Sequence, residues 1–143
     1  MNKINIEISI KFVDSWPKDE IVELYKAGLW WKDTYDPSGV DSLIEGSFAF
    51  AVVVDKKSGK AIGMGRIISD GISDAYIQDL VILPEYRGQG IGKQLLTALV
   101  ERCSSQGILW IGLIAEPDQD GFYSRLGFKQ MEKYVPMKYE KED

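Results

Sequence analysis

The segment PEYRGQGIGKQLL, Pro84 to Leu96, sets glycines at 88, 90 and 92 between an apolar run and a helical pattern. Glycine loses more backbone freedom on folding than any other residue. Three of them this close imply a main chain that bends, or is approached, in a way side chains forbid. A strand, a glycine-rich turn and a helix start together make an anion site. The first amides of a helix have no intrahelical acceptor and carry partial positive charge, so they bind phosphate. The other reading is a tight strand-to-helix turn that holds nothing. Two phosphate loops are excluded by spacing. A P-loop needs four residues before its Gly-Lys pair and then Ser or Thr, whereas GQGIGKQ has three and then Gln94. The pattern G-x-G-x-x-G is absent, and no βαβ unit opens the chain.

Acid–base groups are restricted too. The chain has no histidine, which removes the commonest general base and metal ligand and excludes Ser-His-Asp chemistry and His-ligated zinc. Carboxylates remain as proton acceptors, directly or through water. Asp79 lies on the strand running into the glycine turn, and Glu116 follows the apolar stretch ILWIGLIA.

The elements that must position these groups follow from periodicity. Ile4 to Val13 alternates like a strand. SWPKDEIVELYKAG reads as a helix, with Ser15 as cap, Pro17 in the first turn, Asp19 and Glu20 on the N-terminal dipole and Gly28 as stop. LWWKDTYDPSGVDSLIEGS predicts a loop with a short helix. FAFAVVVDKKSGKAIGMGRIISDG predicts a hairpin turning at Lys57-Ser58-Gly59. DAYIQDLVILP predicts a strand whose run Leu80 to Leu83 is buried on both faces. Helical spacing of Ile91, Leu95, Ala98 and Leu99 starts at Gly90 and stops at Gly107. ILWIGLIA predicts a buried strand, DQDGFYSRLGF a short helix ending at Gly127, and YVPMKYE a closing strand. The order β-α-α-β-β-β-α-β-α-β implies an α/β fold, a mixed sheet with helices on both faces.

Composition bounds the rest. With 143 residues, 45% hydrophobic and 27% charged, and no internal repeat or linker, the chain predicts one domain over residues 1–143. No apolar run reaches the roughly 20 residues of a spanning helix, which predicts no membrane partner. The opening MNKINIEISIKFVD has no signal-peptide core, which predicts a cytoplasmic protein. The single cysteine, Cys103, cannot form an internal disulfide and reads as a small buried hydrophobe. A net charge of −5 argues against nucleic acid and suits a cationic substrate.

The stretch VILPEYRGQGIGKQLL resembles motif A of the GNAT superfamily of acyl-CoA N-acyltransferases, whose core is R/Q-x-x-G-x-G/A. Here that core is Arg87-Gly88-Gln89-Gly90-Ile91-Gly92. Downstream, GFYSRLGF, Gly121 to Phe128, resembles the family's tyrosine-bearing motif B, and the likeness covers most of the chain from Phe48. The resemblance implies a GNAT-type fold, mostly antiparallel with one splayed parallel strand pair. It implies acetyl-CoA as co-substrate, without a metal. Main-chain groups of Leu80, Val81 and Ile82 would pair with the pantetheine arm, and one of their N–H groups would polarise the thioester carbonyl. Amides from Gly88 to Lys93 would hold the pyrophosphate, with Arg87 contributing backbone more than side chain. Lys93 would either add charge near a phosphate or stay solvated.

Tyr123 falls on the family's tyrosine and is assigned as general acid to the departing thiolate, and as a cofactor contact. Asp79 is the first choice of base, since family members often carry an acidic residue on the equivalent strand; an ion pair or a helix-capping role is its alternative. Many relatives have Asn seven residues before the tyrosine, where this chain has Glu116 followed by Pro117. In this respect the chain is more similar to the arylalkylamine-acetylating branch. The acceptor site implied by the family lies after the first helix, where Trp30, Trp31 and Tyr35 alternate with Asp33 and Asp36. That mixture suits a cationic amine, while anchoring of the loop by the tryptophans is the other reading. The resulting expectation is an N-acetyltransferase acting on a small primary amine, with homodimerisation left open. The alternatives are acetylation of a protein lysine or N-terminus, and a non-catalytic acyl-CoA sensor.

Overall fold

The structure is a computed structural model in which residues 6–141 are described, so Ile4 and Asn5 of the first expected strand lie outside the described residues. The chain divides into two compact units, Met1–Gly112 and Leu113–Asp143.

In the first unit a five-stranded sheet runs in chain order, β1 Ile8–Phe12, β2 Ala49–Asp55, β3 Ala61–Ser69, β4 Asp74–Ile82 and β5 Trp110–Gly112. Each of the first four strands runs antiparallel to the next, and β5 joins β4 in parallel. The expected hairpin forms, with Asp55 and Lys60 closing the turn through a 2.9 Å bond from Asp55 N to Lys60 O. Alternation sorts β2 and β3 onto two faces. Phe50, Val52, Val54 and Met64 pack with Ile21, Leu24 and Tyr25 of helix α1 (Lys18–Ala27) and with Val40 and Ile44 of helix α2 (Val40–Gly46). On the opposite face Gly65 lies beneath helix α3 (Ile91–Ser105): a Cβ there would stand 2.8 Å from Leu99 Cδ1. Helices therefore cover both faces. Helix α3 buries Ile91, Leu95, Leu96, Leu99 and Cys103, and burial raises the Cys103 thiol above its ordinary range.

The ends of α1 depart from expectation. Ser15 does not cap it; the helix starts at Lys18 after Pro17, with no side-chain cap. The Glu20 carboxylate ties the first turn down instead, accepting from Trp16 Nε1 at 3.0 Å and from the Ala61 amide at 2.8 Å. At the other end the left-handed residue is Leu29 (φ 64°), with Trp30 N donating to Tyr25 O and Leu29 N to Lys26 O, both at 3.0 Å. That is the paired bonding that usually recruits glycine at the left-handed position. Gly28 serves another need, since a Cβ there would come within 2.6 Å of Trp30 Cζ3. Gly28→Ala is therefore expected to lower stability by about 1–3 kcal/mol through overpacking. A denaturant midpoint equal to the parent's would show that the Trp30 ring gives way freely.

Two strand expectations are corrected. The stretch ILWIGLIA yields only the three-residue β5, and it is not buried: Leu109 is 88% and Trp110 40% exposed. Among the described residues this strand has β4 as its sole neighbour in the sheet, so no strand flanks its far side. In the second unit, helix α4 spans Asp120–Ser124, and YVPMKYE forms no strand among the described residues. Pro136 has no N–H to donate and Lys133 turns left-handed at φ 68°, and both interrupt a ladder.

Candidate active site

The glycine turn takes the shape its composition predicts. After a 3₁₀ turn at Pro84–Tyr86, Gly88 and Gly90 both adopt φ 79°, and Gly90 caps α3 without any side-chain bond. A Cβ on either glycine would meet nothing within 4 Å. Their smallness therefore serves conformation and leaves open space above the main chain. The first intrahelical bond runs from Gln94 N to Gly90 O at 3.2 Å. The N–H groups of Ile91, Gly92 and Lys93 precede it and have no intrahelical acceptor. Gly88, Gln89, Gly90 and Lys93 are exposed. This is a set of convergent donors that suits a diphosphate.

Arg87 does more than lend its backbone. Its Nε donates to the Ile82 carbonyl at 2.8 Å, bracing the turn against the end of β4. The ladder with β3 shows which way β4 faces here. Leu83 N donates to Ile62 O of the β3 side, so by alternation the main-chain groups of Val81 point at β3 and those of Leu80 and Ile82 point away. The parallel ladder with β5 covers only Asp74, Ala75 and Tyr76. From Ile77 to Ile82 the second side of β4 has no strand paired to it among the described residues. With Ile82 O taken by Arg87, its N–H and the groups of Leu80 stand along that open edge. Val81 and Ile82 are buried as expected, while Leu80 and Leu83 are half-buried.

What opens the strand is a bulge. Met64 pairs with Val81 and Arg66 with Gln78, so Asp79 and Leu80 together oppose Gly65. Asp79 takes up the extra residue at φ 59°, a left-handed conformation in mid-strand that Asp and Asn tolerate better than most side chains. Its carboxylate is held on both sides. Oδ2 accepts from the Tyr25 hydroxyl at 2.7 Å and from Arg66 Nε at 2.6 Å, with both ion-pair partners mostly buried. Burial, and then the Asp79 charge, push the Tyr25 hydroxyl well above its ordinary range, so it keeps its proton. Tyr25 and Arg66 were not among the residues marked in the sequence. The available signal was an arginine inside the apolar strand AIGMGRIIS and a tyrosine on the buried face of α1.

The aromatic segment gathers around that same tyrosine. Trp30 and Trp31 lie 6.2 and 6.3 Å from the Tyr25 ring, and Tyr35 stands edge-on to Trp31 at 5.5 Å. Both tryptophans are partly buried against the core, and Tyr35 is 45% exposed. Asp36 is held below its usual range by the Ser38 amide of its own turn.

In the second unit Tyr123 sits half-buried on α4, its ring edge-on to Phe122 at 5.0 Å and to Phe128 at 5.9 Å. Desolvation, and then the negative charge of Glu116, raise its hydroxyl above the ordinary tyrosine value. The bonds from Leu126 N and Phe128 N to Tyr123 O, at 3.0 and 3.1 Å, close the helix around it.

Residues 46–130 match the family model described as an acetyltransferase (GNAT) domain. The chain belongs to the GNAT acetyltransferase family. It is 33% identical over 123 residues to GCN5-related N-acetyltransferase 2, chloroplastic, of Arabidopsis thaliana, covering 80% of this chain and 45% of that protein. It is 35% identical over 71 residues to serotonin N-acetyltransferase 2, chloroplastic, of Oryza sativa subsp. japonica, covering 50% of this chain and 36% of that one. The chain thus spans about half, or less, of the length of these relatives. Among solved structures, an acetyltransferase of the GNAT family from Streptococcus pneumoniae TIGR4 superposes with a TM-score of 0.79 at 23% identity, covering 96% of this chain and all of that one. That likeness establishes the fold expected from the sequence.

Proposed function

We propose that residues 1–143 act as one N-acetyltransferase domain that moves an acetyl group from acetyl-CoA to the primary amine of a small cationic acceptor. The observation that carries this reading is the adjacency of two sets of main-chain donors: the left-handed glycine turn at the start of α3 and the open edge of β4 beside it. The family match crosses the boundary between the two units and includes both motifs, which supports treating them as one functional domain.

In this reading the amides from Gly88 to Lys93 hold the diphosphate, and the groups of Leu80 and Ile82 pair with the pantetheine arm as an added strand would. Val81, facing β3, contributes through its burial. When bound, acetyl-CoA supplies an acetyl thioester whose carbonyl carbon takes the amine nitrogen while the C–S bond releases a thiolate. Tyr123 holds the proton for that sulfur, and its raised position keeps the proton in place across the physiological range. The spent tyrosine is reprotonated from water, and the amine gives up its own proton to solvent. Asp79 was the first choice for that last task, but its Oδ2 already serves two donors, and we assign it to the geometry of β4.

The acceptor assignment draws on Trp30, Trp31 and Tyr35 with the nearby Asp33 and Asp36, and on the overall negative charge. The rice relative's name, which specifies serotonin, is consistent with an arylalkylamine. Calorimetry with acetyl-CoA followed by thiol release over a panel of tryptamine, phenylethylamine, spermidine and a lysine peptide tests both halves. Heat on binding and fastest turnover with a small amine is the expected result. Preferred turnover of the peptide would overturn the acceptor, and absence of heat would overturn the coenzyme.

A further inference from the structure

We propose that Tyr25 and Arg66 are positioning residues which, by gripping Asp79 from α1 and β3, hold the β4 bulge open and aim the main chain of Leu80 and Ile82 at the pantetheine arm. The inference rests on the coenzyme reading above and deepens it.

Its ground is geometric. A non-glycine residue in the left-handed region costs about 1–2 kcal/mol, and it persists only where its surroundings over-determine it. At Asp79 the determinants are the two short bonds to Oδ2, from a tyrosine on the helix packed on one face and from an arginine on the neighbouring strand. Arg66 stands directly across the ladder from Gln78, the residue before the bulge, and its second nitrogen reaches the Gln78 side chain at 3.5 Å. The clamp thus grips the strand at the point where it leaves regular pairing. Without it, β4 can relax toward an unbroken ladder with β3. A one-residue slip reverses which groups face the open edge. The glycine turn is braced by the Arg87 bond to Ile82 O, beyond the bulge, and by the start of α3, and the clamp's bonds end on Asp79 and Gln78 without reaching it.

This separation defines the test. Coenzyme A engages both the turn and the β4 edge, whereas ADP carries a diphosphate without the pantetheine arm. In the purified full chain, Tyr25→Phe removes only the hydroxyl donor. Asp79→Gly keeps the left-handed conformation accessible but removes the tether, so it serves if Tyr25→Phe fails to fold. Each is expected to raise the Kd for coenzyme A about tenfold and to leave the Kd for ADP within twofold. A loss shared equally by both ligands would indicate general unfolding and overturn the positioning role. Unchanged coenzyme A affinity in both variants would overturn it too. If the parent protein binds neither ligand, the coenzyme reading itself fails, an outcome distinct from the others.

Discussion

Gly90→Val is expected to weaken acetyl-CoA binding at least tenfold in a protein that still folds. The reason is conformational. A Cβ at Gly90 has no neighbour within 4 Å, so crowding within the protein is not the cause. The residue instead holds φ 79°, a region that β-branched side chains scarcely visit. Valine escapes by flipping the turn back to negative φ, which rotates the Gly90 and Ile91 amides away from the ligand. A hydrogen bond to a charged group contributes about 1.5–3 kcal/mol, so one lost amide suffices for tenfold, and two exceed a hundredfold. Gly90→Asn supplies the contrast, because asparagine tolerates the left-handed region and should retain most of the affinity. Calorimetry with acetyl-CoA measures both, and a folded valine variant with parental affinity would remove the turn from the site.

The glycine turn could be read in the sequence because its signal is local. Positive φ at Gly88 and Gly90, and the helix that follows, come from residues adjacent in the chain. The hairpin at Lys57–Gly59 and the stop at Gly107 were legible for the same reason. The clamp was not. Asp79 meets Tyr25 across 54 positions and Arg66 across 13, and no periodicity encodes such a meeting. The bulge is hidden as well, since one extra residue in DAYIQDLVI leaves its apolar pattern intact while shifting the register. The misread closing strand shows the converse error. The β-branched and aromatic content of YVPMKYE suggested a strand, but propensity of this kind depends on a partner ladder, and Pro136 and Lys133 break the backbone that one would need. Assigning the helix stop to Gly28 was right in place and wrong in cause, because the left-handed residue is the exposed Leu29.

Tyr123→Phe should lower kcat at least tenfold while changing acetyl-CoA affinity no more than a few fold. Phenylalanine keeps the ring contacts with Phe122 and Phe128 and removes only the proton. A positioned general acid is worth about 10²–10⁴-fold in general. The leaving group here is a thiolate with a pKa near 8.5, which departs without much help, so the loss falls toward the low end. The pH dependence carries the sign. Burial and the Glu116 charge disfavour the phenolate, so the hydroxyl stays protonated beyond the ordinary tyrosine value of about 10, and kcat should not decline on that account between pH 7 and pH 9.5. Glu116→Gln removes one of the two causes and should move the alkaline limb downward. Initial rates from pH 7 to above pH 11, with saturating amine, bring the alkaline limb into view and separate the cases. A phenylalanine variant with parental kcat, or an alkaline limb that Glu116→Gln leaves in place, would take the proton-donor role away from Tyr123.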